Sequence, residues 1–161
     1  MSDQGEFYGS FVESELLSEQ TRRAELNVQA RAVVTASGAQ FGLTTGLVVF
    51  VRGKNYLPDH TWSWLFGTAL VLYLLSVALG LVASRSHKTA VAAPETLRRM
   101  LSDHWTDSAA TARNFVARAQ VTSIEALREG NNIKARWLKR SVIIQVGAIA
   151  ILAAAVVGST R

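Results

Sequence analysis

Arg113, Arg118 and Arg128 are the side chains of this 161-residue chain best suited to holding an anion. A guanidinium grips a phosphate through a bidentate fork that no other side chain supplies. Trp105 and Phe115 lie nearby in sequence and offer flat faces for a base to stack on, or can equally be core. For the three arginines, a solvated face is the first reading and a ligand contact the second. On one helix Arg118 and Arg128 would sit roughly 80° apart on the wheel and about 15 Å apart along the axis. One small ligand does not easily reach both, so a site using both lies between helices or subunits. Lys134, Arg136, Lys139 and Arg140 complete the basic run. Lys139 and Arg140 read as attraction to anionic lipid, about 1 kcal/mol each near the surface.

Catalytic chemistry finds little to work with. His60, His87 and His104 are scattered, and the sequence has no HExxH, no GxSxG elbow and no GxxxxGK[ST] loop. Cysteine is absent, which excludes disulfides, thiolate metal sites and cysteine nucleophiles. Asp103 and His104 are adjacent, a spacing that points side chains apart on a helix or turn. The expectation is a protein that is not an enzyme and carries no metal and no cofactor.

A different set of spacings concerns packing in lipid. Gly38, Gly42 and Gly46 recur every four residues, a doubled small-xxx-small face that lets two helix backbones approach closely. They serve packing inside one three-helix bundle, oligomerisation, or both. Ser76, Gly80 and Ser84, and Ala150, Ala154 and Gly158, echo the pattern. Ser37, Gln40 and Thr44 form a polar ridge on the glycine-bearing segment. In lipid such groups must be paired or face a cavity, so the ridge hydrogen-bonds between helices or lines a pore.

The elements that position these residues follow from where charge is missing. Hydrophobic residues make up 49% and charged residues 18%, too apolar for disorder. No Asp, Glu, Lys or Arg occurs in 32–51, 61–84 or 141–160, runs of 20, 24 and 20 residues. Twenty helical residues span about 30 Å, the thickness of the hydrocarbon core. Three membrane helices are predicted, at about 33–51, 62–83 and 141–158. The first is not a signal peptide, because about 31 residues with six acidic side chains precede it. Three Lys or Arg precede the first run and eleven lie in 85–140, against two in 52–60 and one after the last run. The positive-inside rule then puts the N-terminus and 85–140 in the cytoplasm and the C-terminus outside. Tyr56, Trp62 and Trp64 fall where an outer aromatic belt belongs, and Trp137 at the inner interface.

The fold class is therefore all-α, an integral membrane protein with cytoplasmic helical extensions. Its parts are a cytoplasmic N-terminal helix (1–31), a transmembrane hairpin (32–84), a cytoplasmic helical segment (85–140) and a third membrane helix with a short outer end (141–161). The N-terminal helix runs on into the membrane, with Leu16, Leu17, Ala24 and Val28 as its apolar stripe. After a linker at 85–93, Pro94 starts a short helix, a turn follows near Asp103, and Asp107 or Ser108 caps the next helix. Its inner face is read as Ala112, Phe115, Val116, Ala119, Ser123 and Leu127, with a kink or break at Gly130, Asn131 and Asn132. So small a cytoplasmic unit has a weak core alone and should pack on the N-terminal helix or on other subunits.

Three segments carry a family resemblance: LLSEQTRRAELN at 16–27, TASG at 35–38 and LREGNNIKARWLKR at 127–140, the last containing an N-x-x-K-A element. With the hairpin between them, they give nearly the whole chain the layout of the small transmembrane effectors of Pycsar antiphage systems. More distantly it is similar to the SLATT membrane effectors. The resemblance implies a protein of the bacterial inner membrane, and the glycine spacing adds the expectation of a homo-oligomer. A separately encoded partner cyclase makes a cyclic pyrimidine nucleotide (cUMP or cCMP) on infection, and the effector responds by impairing the membrane, an abortive infection. No nucleic acid is expected as partner. The chain has no recognisable cyclic-nucleotide-binding β-barrel, so no ligand residues carry over. A resemblance to membrane accessory proteins of actinobacterial plasmid transfer supplies the alternative.

Overall fold

A computed structural model describes residues 3–52, 60–85, 94–104 and 106–159. It consists of four helices: α1 (Asp3–Arg52), α2 (His60–Ser84), α3 (Pro94–Ser102) and α4 (Ala109–Ser159). Of the chain's two prolines, neither Pro58 nor Pro94 falls inside α1 or α4, so nothing removes an internal N–H from either. At about 1.5 Å per residue each of these two helices is roughly 75 Å long. The predicted N-terminal helix and the predicted first span are thus one element. Residues 86–93 of the linker, Tyr56, Trp105 and the side chain of Trp62 lie outside the described residues.

Local chemistry explains the short elements. Pro94 opens α3 with its φ already helical, and Glu95 sits favourably in the positive first turn. Backbone N–H groups of Asp103 and His104 both donate to the carbonyl of Arg99 at the other end. The turn that follows is closed by Asp107 N–H on the His104 carbonyl and by His104 Nδ1 against Asp107 Oδ2 at 2.9 Å. Ser108 caps α4, its Oγ accepting the Thr111 N–H at 3.2 Å.

The described residues form two compact units. The first combines those of Met1–Glu25 and Ser86–Ile133, pairing the start of α1 with α3 and the first half of α4. Its buried apolar residues are Ile124 and Leu127. The second combines Leu26–Arg85 with those of Lys134–Arg161. Its core joins Ala69 and Tyr73 of α2 to Ala148 and Leu152 of α4, with Phe41 of α1 edge-on to Tyr73 at 6.0 Å. A further cluster unites Ala30, Ala83 and Leu138. Gly80 marks the tightest approach: a Cβ there would lie 2.9 Å from Val34 Cγ2 and 3.7 Å from Ser141 Oγ.

Among the described residues two helices are long and apolar enough to cross a membrane, Ser63–Ser84 within α2 and Ala109–Gly158 in α4. Only 22% and 28% of their most apolar windows are buried. Leu74, Ile143 and Val146, among others, stay exposed, the reverse of a water-soluble core. Among its described side chains α1 has no equally apolar window.

Three sequence expectations fail. Leu17 and Val28 are 56% and 66% exposed and Ala24 is also exposed, whereas α1 buries Glu19, Ala30 and Ser37. Ala112 and Val116 are exposed too, and Ile124 takes the inner position. Finally, α4 runs through Gly130, Asn131 and Asn132 without a break. Asn weakens a helix by bonding its own backbone. Here the Asn131 amide is spent on α1 instead, donating to the Glu19 carbonyl at 3.0 Å.

Candidate functional site

In the first unit, polar side chains of α1 and α4 form one connected cluster. Arg128 donates through Nε to Glu19 Oε1 at 3.0 Å and through Nη2 to Glu15. Asn131, 1% exposed, donates to Glu19 Oε2 at 3.0 Å as well as to its carbonyl. Arg22 reaches Asn132 Oδ1 at 3.1 Å and pairs with Glu19 at 3.6 Å. Burial pushes the Glu19 carboxyl up. The hydrogen bonds from Asn131 and Arg128 and the charges of Arg22 and Arg128 outweigh it, so Glu19 titrates below its ordinary 4.5. Two carboxylates balance two guanidiniums. An anion using the Nε and Nη2 edge of Arg128 must displace a carboxylate, whereas the Nη1 donors of the half-exposed guanidinium carry no carboxylate among the described contacts.

The other predicted ligand residues are spread out. Arg113 and Arg118 are exposed on α4, five residues and thus roughly 140° apart on the wheel. Phe115 is half-buried, its ring centroid 5.0 Å from that of His104. Trp105 lies outside the described residues. Among the described residues no three His, Asp or Glu side chains gather as a metal site would need.

In the second unit the polar ridge of α1 is turned toward its neighbours. Gln145 Nε2 of α4 donates to Gln40 Oε1 at 3.0 Å. Thr44 Oγ1 donates back to the Gln40 carbonyl at 2.8 Å. Ser37 is 1% exposed and its Oγ has no hydrogen-bond partner among the described residues. Ser76 and Ser141 clasp α2 to α4 reciprocally: Ser141 Oγ donates to the Ser76 carbonyl at 2.7 Å and Ser76 Oγ to the Ser141 carbonyl at 3.0 Å. Lys134, 2% exposed, donates to Asn27 Oδ1 at 2.6 Å. By contrast Gly38, Gly42 and Gly46 are exposed, and among the described residues a Cβ at any of them would meet nothing within 4 Å.

Sequence reasoning missed Glu15, Glu19, Gln145, Asn27 and the inward role of Lys134. The signal was present as spacing. The buried residues of α4 are Ile124, Leu127, Asn131, Lys134, Leu138, Ser141, Gln145, Ala148, Leu152 and Ala155, alternating by three and four. That is a heptad seam, hidden because polar and small residues occupy six of its ten positions. No protein-family model, curated protein or solved structure matches this chain.

Proposed function

We propose that the chain is a non-enzymatic effector of the bacterial inner membrane, acting in antiphage defence. An anionic ligand received by the cytoplasmic helices changes the packing of the membrane helices and impairs the bilayer. The observation that carries this reading is the buried polar seam of the second unit: Ser37, the Gln40–Gln145 pair and the Ser76–Ser141 clasp. Polar groups paired between apolar helices can exchange partners for water, which apolar groups cannot. The seam is therefore shut while paired and hydratable once displaced.

The ligand in this reading is a cyclic pyrimidine nucleotide (cUMP or cCMP) from a partner cyclase. Arg113, Arg118 and Arg128 supply charge, and Phe115 and Trp105 supply stacking. Exchange of Glu15 or Glu19 for phosphate at Arg128 couples occupancy to the contact between α1 and α4. Three spans, a cytoplasmic N-terminus and an outer C-terminus complete the arrangement, with oligomerisation through the open Gly38, Gly42 and Gly46 face. The alternative, a structural accessory of plasmid transfer, is favoured by one observation. Phe7, Tyr8 and Phe11 stand 71%, 66% and 58% exposed near the start of α1, as a partner-binding end would.

The test is a thermal-shift panel of cUMP, cCMP, cAMP and cGMP on the detergent-solubilised chain, paired with dye release from vesicles containing it. One pyrimidine nucleotide at 100 times its Kd should stabilise by about 2.7 kcal/mol. It should also release dye. No shift and no release with any of the four overturns the nucleotide-gated reading.

A further inference from the structure

An open groove of about 550 Å³ runs between α1 and α4 in the second unit. Its α1 wall is Leu26, Ala32 and Val33, and its α4 wall includes Ala135, Leu138, Val142 and Ile143. Only two polar side chains line it, Gln29 and Lys139. Lys139 is exposed and makes no ion pair among the described residues. A free nucleotide would leave its sugar and base edges unpaired against such walls. A hydrocarbon chain would not.

The position of the groove is equally specific. Along α4 it starts at Ala135 and ends at Ile143, across the point where the basic run stops at Arg140 and the uncharged run 141–160 begins. That is where a helix leaves the headgroup layer for the hydrocarbon. Trp137, with the Arg140 guanidinium 5.0 Å from its ring centroid, stands at the same level. Val142 and Ile143, 41% and 60% exposed, extend the apolar wall into the span.

We propose that this groove is a binding site for one anionic phospholipid, its acyl chain lying between α1 and α4 and its phosphate held by Lys139. The positive charge selects the headgroup, and the apolar walls hold the chain. The inference rests on the membrane placement of α4 and is independent of any nucleotide. Because the occupant fills space between α1 and α4, its loss or displacement changes the contact that Gln40 and Gln145 make deeper in the same pair.

The experiment is native mass spectrometry of the full chain in detergent with added phosphatidylglycerol or phosphatidylcholine, after confirming that the chain floats with vesicles. Failure to float overturns the membrane reading itself. Wild type should retain phosphatidylglycerol in preference to phosphatidylcholine. Lys139→Gln should cut that preference about fivefold, the equivalent of about 1 kcal/mol. Ala32→Trp and, separately, Ile143→Trp should abolish retention of either lipid by filling the groove, with circular dichroism unchanged. Retention that survives both tryptophans in helical protein overturns the proposal. So does loss of a dimer in place of loss of lipid, which would make a second copy the occupant.

Discussion

Glu19 shows how much one side chain can carry. It accepts from Asn131 and Arg128, pairs with Arg22, and sits 8% exposed. Truncating Asn131 to Ala strips a buried carboxylate of a donor, and should cost about 1–3 kcal/mol in thermal or denaturant unfolding. Because the folded Glu19 titrates below its ordinary 4.5, its contribution is fully present above that value and is lost as pH falls through the lower, folded one. Stability measured from pH 6 downward should therefore drop in the acid range, and Glu19→Gln should flatten that part of the profile. An unchanged profile would place the acid sensitivity elsewhere. Only the Arg22 pair, three residues along the same helix, was legible in sequence; the partnerships with Asn131 and Arg128 were not. Glu19 and Asn131 are 112 positions apart and each looks like an ordinary surface residue.

At the scale of elements, the existence and type of the helices were legible, because missing charge and missing proline are visible one residue at a time. Which face of each helix turns inward was not. Pattern reading assumes that large apolar residues mark the inside. Here α2 buries Ala69, Tyr73, Ser76, Gly80 and Ala83, again spaced by four and three, while Val71, Leu74 and Leu81 face out. That inversion suits lipid, where small residues allow close approach and large ones meet the acyl chains equally well. It also sorts the glycines. Gly80→Ala must push against Val34, whose branched side chain is stiff, and should cost about 1–3 kcal/mol. Gly42→Ala, with open space for its Cβ, should instead raise the subunit's own unfolding transition, by up to about 1 kcal/mol of helix propensity. Equal effects at the two positions would contradict the packing. A double-mutant cycle of Gln40→Leu and Gln145→Leu should return a coupling of about 0.6 kcal/mol, the usual worth of such a pair in a membrane.

For the whole molecule the predictions concern orientation and assembly. With the N-terminus inside, a reporter fused after Arg161 should be active only if it works outside the cytoplasm. Activity of a cytoplasm-only reporter there would reverse the topology. With the open glycine face as the contact between copies, Gly42→Leu should yield a smaller particle in detergent than wild type does, and an unchanged particle would move that contact to another face. The Ser76–Ser141 clasp has a consequence for biogenesis. Its halves are separated by 65 residues, which a ribosome working at roughly 5–20 residues per second takes about 3–13 s to add. During that interval the nascent α2 has Ser76 without its α4 partner, while Gly80 is already faced by Val34 and Ala30 of α1. A quality-control protease that recognises orphaned polar surface has its opening then, and arrival of α4 closes it.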